Sequence, residues 1–364
     1  MKQFIYCLFM QCALIFGYQE VFASEKIGVL FSSYGDVDDV STELRPFIRT
    51  TLTDPDILPL PQWARVLVAD FGWYLKKKGL KKEYEAIGGR SNMRALSWAQ
   101  ANGVAELLRN RGYDAAAYVG FTMTFPLVSE ALGKAQAEGV QKLFVFYQGA
   151  QYSKVTMGII FRHVREYLKS HPEWNVRVIG IRSFSDDARF LELLTRRIDR
   201  QWTTTLASYA GDEVCLFFPV HGNLRYLRNE GDPYVVQIER LAKQLRNAYP
   251  ESPFFIGFQN HGEIPLLRWT QPSTERSLKK IAQNNCPAVL INGLLSFTVD
   301  NLETLYDHAV DEPEFLAQEL VRNSRPLKMV VVEKMFNDDP DFVELMADLV
   351  EEADQGQGDL EVLK

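Results

Sequence analysis

The chain has 364 residues, 46% apolar and 24% charged, the make-up of a folded protein long enough for two domains of ordinary size. Its formal charge of −7 argues against a general nucleic-acid binder, which needs a basic face to meet phosphate. Four cysteines (Cys7, Cys12, Cys215, Cys286) show no C-x-x-C spacing, which excludes an ordinary zinc or iron–sulfur motif.

Residues 1–23 read as a secretory signal peptide. They carry one early lysine, an apolar stretch from Phe4 to Tyr18, and Val21-Phe22-Ala23 as a small-residue cleavage site. The stretch is short for a transmembrane helix; an uncleaved anchor or a mis-set start codon is the other reading. Such a signal exports the protein, to the periplasm in a bacterium; without it the chain would be cytoplasmic or membrane-associated.

Strand-like and helical segments then alternate. IGVLFSSYG (27–35), AAAYVGFTMTFP (115–126) and KLFVFYQGAQYS (142–153) are apolar runs ending in glycine or polar residues. SWAQANGVAELLRNRG (97–112) has helical periodicity and closes on a glycine suited to a C-cap. The pattern repeats in VRVIGIRSF (176–184), EVCLFFPVHG (213–222), PFFIGFQNHG (253–262) and PAVLINGLLSF (287–297). Strands alternating with helices mean βαβ units and parallel sheets. The expected fold is therefore α/β, with two similar Rossmann-like domains over 24–172 and 173–327. MVVVEKMF and the following helix, capped by Asp339 with Pro340 at its first position, close the fold over 328–354. Residues 355–364 read as a flexible tail. Cys215 and Cys286 fall in or beside apolar runs, where buried free thiols are expected; a disulfide between them stays open.

Ligands of open parallel sheets bind outside the carboxyl ends of the strands. Standing there are Ser33-Tyr34-Gly35, Gln151-Tyr152-Ser153, His221-Gly222, Asn260-His261-Gly262 and the stretch from Phe297 to Glu303. None carries G-x-G-x-x-G or a P-loop, so no dinucleotide or nucleoside triphosphate site is supported. His221 is either a packed loop residue or a base at the mouth of a cleft. His261 is a second strand-end histidine, while His163, His171 and His308 fall in helical or polar connecting segments and are weaker candidates. Asp300, Glu303 and Asp307, at offsets of three and seven, share one helical face. Asp300-Asn301-Leu302-Glu303 also fits a capping box, and both readings stay open.

Taken together, the motifs resemble the ferrochelatase family from Ile27 to about Val350. IGVLFSSYGDVDDV matches its first strand and loop, and EYEAIGGRSNMRALSWAQ its Gly-Gly-x-Ser segment. GAQYSKVTMG resembles Pro-Gln-Tyr-Ser-x-x-Thr, and FFPVHGNLRYLRNEGDPY resembles Ser-x-His-x-x-Pro followed by Gly-Asp-Pro-Tyr. FTVDNLETLYD resembles Ser-Asp-His-Ile-Glu-Thr-Leu, and NDDPDFVELMADLV the final Asn-x-x-Pro-x-Phe helix. Six motifs in family order carry the resemblance.

It implies chelatase-type domains with the active site in the cleft between them. The implied reaction inserts Fe²⁺, as substrate metal, into protoporphyrin IX or coproporphyrin III and releases two protons. No organic cofactor and no iron–sulfur cluster is expected. By motif, His221 and Glu303 are the catalytic and metal-binding pair. Asp300 and Asp307 would extend a proton or metal path, and Tyr34, Tyr84 and Ser91 would meet the porphyrin. Residues 63–80, an aromatic helix followed by Lys76, Lys77 and Lys78, correspond to a lip that can rest on a membrane; the other reading is an ordinary helix with its aromatics in the core.

The chain departs from the pattern at Pro219, Leu224, Asn301, Ala150 and the loop Ser33 to Val37. Two further readings follow: an exported chelatase acting on another tetrapyrrole or metal or removing iron from haem, and a non-catalytic porphyrin- or haem-binding protein.

Overall fold

The computed structural model describes residues 25–259, 268–284, 286–325 and 328–364; the signal segment and His261 lie outside them. The first half runs β1 (Lys26–Ser33), α1 (Leu44–Thr53), α2 (Gln62–Ala86), α3 (Met93–Asn110), β2 (Asp114–Phe121), α4 (Val128–Ala137), β3 (Lys142–Tyr147), α5 (Met157–Ser170) and β4 (Arg177–Ser183). After α6 (Ala188–Thr204) come β5 (Val214–Val220), α7 (Arg225–Asn229), α8 (Tyr234–Ala248), β6 (Phe254–Phe258), α9 (Thr274–Gln283) and β7 (Ala288–Asn292). A π-helix (Glu303–Asp311) runs directly into α10 (Glu312–Arg322), followed by β8 (Met329–Glu333), α11 (Pro340–Asp354) and β9 (Asp359–Val362).

The strands form two sheets, ordered β2-β1-β3-β4-β9 and β6-β5-β7-β8. All neighbours are parallel except β9, which pairs antiparallel with β4. Helices on both faces leave no wet side, so β5 (VCLFFPV) is buried at every position. Pro219 can sit in this central strand because β7 pairs with β5 only as far as Phe217. Beyond that point a missing N–H breaks no ladder on that side.

One apolar core joins the halves. Phe31, Phe144 and Phe146 of the first sheet belong to the same cluster as Leu216, Phe218 and Leu290 of the second. α11 seals the cluster by packing on α3, α6 and β4, although it follows the second sheet in sequence. Its start is as expected, with the Asp339 carboxylate accepting from the Asp341 N–H and Pro340 in the first turn.

Three expectations are corrected. The boundary at 172/173 precedes β4, yet β4 pairs with β3 in the first sheet, so the chain crosses between sheets through α6. The tail is not loose, since Asp359–Val362 form an edge strand on β4. Cys215 and Cys286 are not free thiols: they form a disulfide between β5 and the lead-in to β7, with Cα atoms 5.6 Å apart. Among the described residues no helix is long and apolar enough to cross a membrane.

Candidate active site

His221 stands where β5 ends, and its surroundings fix the ring. Its Nδ1 lies 2.8 Å from the Gly222 carbonyl oxygen, so Nδ1 must carry the hydrogen. In the neutral ring Nε2 then holds the lone pair, and it faces Glu303 Oε1 at 3.4 Å. A lone pair and a carboxylate oxygen that face each other call for a proton or a cation between them. The pair is accessible, with side chains 39% and 28% exposed.

The backbone at His221 is held just as firmly. A Cβ on Gly222 would come within 2.2 Å of the Gln259 carbonyl oxygen, which restricts the position to glycine. The Tyr234 hydroxyl donates to the His221 carbonyl at 3.0 Å. Asp232 orders that turn: it accepts from the Tyr234 N–H, from the Ser153 hydroxyl and from the Lys154 N–H. The Gly-Asp-Pro-Tyr and Gln-Tyr-Ser stretches are therefore one hydrogen-bonded unit across the two halves. Gln151 adds a bond to the Leu295 carbonyl.

Glu303 is the first residue of the π-helix, whose wider i→i+5 turns are uncommon and concentrate at functional sites. Asp307 lies on this helix, but Asp300 does not. The Asp300 carboxylate is taken up by Asn337 Nδ2 at 2.7 Å and the Thr304 hydroxyl at 3.2 Å, clamping the loop after β7 to the chain beyond β8. The expected shared face of three carboxylates is thus reduced to Glu303 and Asp307. The capping box is also revised. Asn301 Oδ1 accepts from the N–H groups of Glu303 and Thr304, while Asp36, from the first half, accepts from the Leu302 N–H at 2.8 Å.

Asp36 explains two residues assigned to the porphyrin by motif. Tyr84 and Ser91 are fully buried, and their hydroxyls hydrogen-bond the Asp36 carboxylate. Neither reaches a cleft surface, so the expected contact with porphyrin is corrected to an internal strap on the start of the π-helix. Burial raises the pKa of Asp36 against the opposing pull of these donors.

Tyr34 lies near the pair, its hydroxyl donating to the Val155 carbonyl. Tyr147, ending β3, and Tyr234 also fall within electrostatic reach of Glu303. Burial raises the pKa of all three phenols and the Glu303 charge adds to it, so they stay protonated hydrogen-bond donors.

His308, a weaker candidate by sequence, and Glu312, not a candidate, are both buried. His308 is on the inner side of the π-helix and Glu312 directly follows it, 0% and 2% exposed. Burial lowers the His308 pKa to about 4 and raises that of Glu312 well above the carboxylate range. Asp307, Asp311 and Glu303 push Glu312 further the same way.

The face of α2 is another finding. Trp63, Leu67, Phe71, Tyr74 and Leu75 point outward, 61–70% exposed, rather than into the core. Lys77 sits over the Tyr74 ring at 5.1 Å.

A family model described as Ferrochelatase matches residues 26–354. A curated ferrochelatase from Gloeothece citriformis is 26% identical over 330 residues, covering 89% of this chain and 82% of that protein. One from Prochlorococcus marinus is 26% identical over 343 residues, covering 92% and 84%. A solved structure described as SirB from Bacillus subtilis with Fe³⁺ has the same fold, with a TM-score of 0.53 at 11% identity, covering 92% of this chain and 99% of that one.

Proposed function

The chain belongs to the ferrochelatase family, and from this premise we propose that it inserts Fe²⁺ into protoporphyrin IX or coproporphyrin III with release of two protons. The reading rests on one observation, His221 Nε2 facing Glu303 Oε1 at 3.4 Å. Two pyrrole N–H protons must leave as the metal enters, and an imidazole is the side chain whose ordinary pKa suits that transfer near neutrality. Imidazole nitrogen and carboxylate oxygen are also fitting transient ligands for Fe²⁺ as it sheds water. A pair holds a metal in transit more loosely than a resident site would, and among the described residues no three His, Cys, Asp or Glu are placed to hold a metal ion together.

His221 takes the proton and Glu303 offsets the charge that forms. Asp307, on the same helix, is the next acceptor leading away from the pair. By the resemblance, Tyr34 would stand against the metal-facing side. No electron is transferred, so the reaction calls for no organic cofactor. The outward aromatic face of α2 and Lys76 to Lys78 support peripheral contact with a membrane.

The Cys215–Cys286 disulfide favours a second setting for the same chemistry. Disulfides persist in oxidising compartments, which agrees with export and with an exported chelatase that handles another tetrapyrrole or removes iron from haem.

Anaerobic incubation of purified protein with Fe²⁺ and each porphyrin, beside His221→Ala and Glu303→Ala, tests the proposal. Wild-type insertion lost in both variants is expected. Porphyrin bound without insertion by wild type would overturn it and leave a binding protein.

A further inference from the structure

Beneath the exposed pair lies a second histidine that the chemistry above does not use. His308 is wholly buried, its ring against Phe297 in an edge-on contact with centroids 5.6 Å apart. A Cβ on Gly293 would strike this ring at 2.5 Å, so the chain keeps a glycine there to admit it. A leucine would fill the same space without a polar atom to satisfy. The imidazole must therefore be accounted for by what it bonds.

Nε2 of His308 lies 3.1 Å from Oε1 of Gln259, the residue directly after β6. The other end of that carboxamide, Nε2, donates to Asp307 Oδ2 at 3.3 Å. An amide is a donor at one end and an acceptor at the other, so the two contacts are not independent. With Oε1 toward the imidazole, His308 must carry its hydrogen on Nε2. Nδ1 is then a bare lone pair, and it has no hydrogen-bond partner among the described residues. If instead Nδ1 held the hydrogen, Gln259 would have to turn over. It would present its oxygen to Asp307 and repel an ionised carboxylate there.

Among the described residues, His308 is the group bonded to the oxygen end of this amide. Glu303, Asp311 and Glu312 lie on its own helical run, and Glu312 has neither oxygen hydrogen-bonded among the described residues. From other elements come the Gln259 amide, the Gly293 backbone and the apolar groups of Phe297 and Met335. None of these four supplies a charge that could replace the imidazole.

We propose that His308 is a positioning residue: through the polarity of the Gln259 amide it fixes the carboxylate of Asp307, four residues after Glu303 on the same helix, as a hydrogen-bond acceptor. The role depends on the chelatase reading only in what Asp307 receives; the hydrogen-bond polarity stands apart from it.

Two measurements test this separately. The chain has five histidines, so histidine-selective ¹⁵N labelling gives a sparse spectrum in which loss of one signal in His308→Gln assigns the residue. At pH 7 the His308 ring should be the neutral tautomer with hydrogen on Nε2 and a bare Nδ1. An Nδ1–H tautomer or an imidazolium would overturn the proposal. In anaerobic Fe²⁺ insertion, His308→Leu should lose roughly ten-fold in kcat, the usual scale for removing an orienting partner. His308→Gln, which can still donate to Gln259, should recover most of it. Full activity in His308→Leu would contradict the proposal, and so would a glutamine variant no better than leucine. A wild type that inserts no metal would sink the chelatase reading instead, and the ¹⁵N spectrum would still decide the role of His308.

Discussion

His221, facing the first residue of the π-helix, and His308, on the buried side of that same helix, differ in nearly every property that matters to an imidazole. His221 is 39% exposed, and its Nε2 lone pair looks across a gap at a carboxylate. His308 is fully buried, bonded to an amide and held neutral by a pKa lowered to about 4. The first is open to solvent and the second is not. Exposure, not residue type, divides the labour. Glu303 and Glu312 repeat the contrast, one open beside His221 and the other sealed and kept protonated by burial.

The largest expected effect breaks the exposed pair. His221→Ala and Glu303→Ala should each lower insertion by about 10²–10⁴-fold. The double variant should lose little more than the worse single one, because the two act on one proton and one metal. Strictly multiplicative losses would show that they work independently.

The buried pair should appear instead in stability against pH, with opposite signs. The folded pKa of His308 is depressed, so the unfolded chain takes up its proton first as pH falls below about 6.5. Wild type should then lose roughly 3 kcal/mol more than His308→Gln by about pH 4 in urea unfolding. The folded pKa of Glu312 is raised, so its stabilising share is complete below about pH 4.5 and fades as pH climbs. Glu312→Gln should gain on wild type from pH 5 to 8. Parallel curves for either variant would remove the distinction drawn here.

Smaller effects sharpen the geometry. Gly222→Ala forces a Cβ against the Gln259 carbonyl and should cost about 1–3 kcal/mol, with insertion falling as His221 is displaced. Retained stability and rate would mean that the turn is slack. Smallest, Phe71→Asp on the outward face of α2 should weaken sedimentation with anionic vesicles several-fold and leave insertion from detergent-dispersed porphyrin unchanged. Equal sedimentation would assign that face another role.

Much of the architecture was legible because its signals are local. Buried parallel strands write themselves as apolar runs such as VCLFFPV, and the start of α11 announced itself through Asp339 and Pro340. His221 stands out because a histidine at a strand's carboxyl end is conspicuous. What failed was non-local. No spacing rule reveals that Asp36 caps a helix more than two hundred residues away, or that Tyr84 and Ser91 turn inward to hold it. Asp300, Glu303 and Asp307 were aligned on an α-helical wheel, which misplaces residues once the helix is π and Asp300 lies before it. β9 was missed because an edge strand of four residues after two glycines reads like a tail. His308 was passed over because burial, not sequence context, gives it meaning.

The most direct test of the account follows metal and protons in one anaerobic cuvette. Wild-type protein, Fe²⁺ and porphyrin should give the metalloporphyrin spectrum together with two protons released per metal, read by a pH indicator, and His221→Ala should silence both signals. A bound porphyrin spectrum that never changes, or metal insertion that continues at full rate without His221, would contradict it.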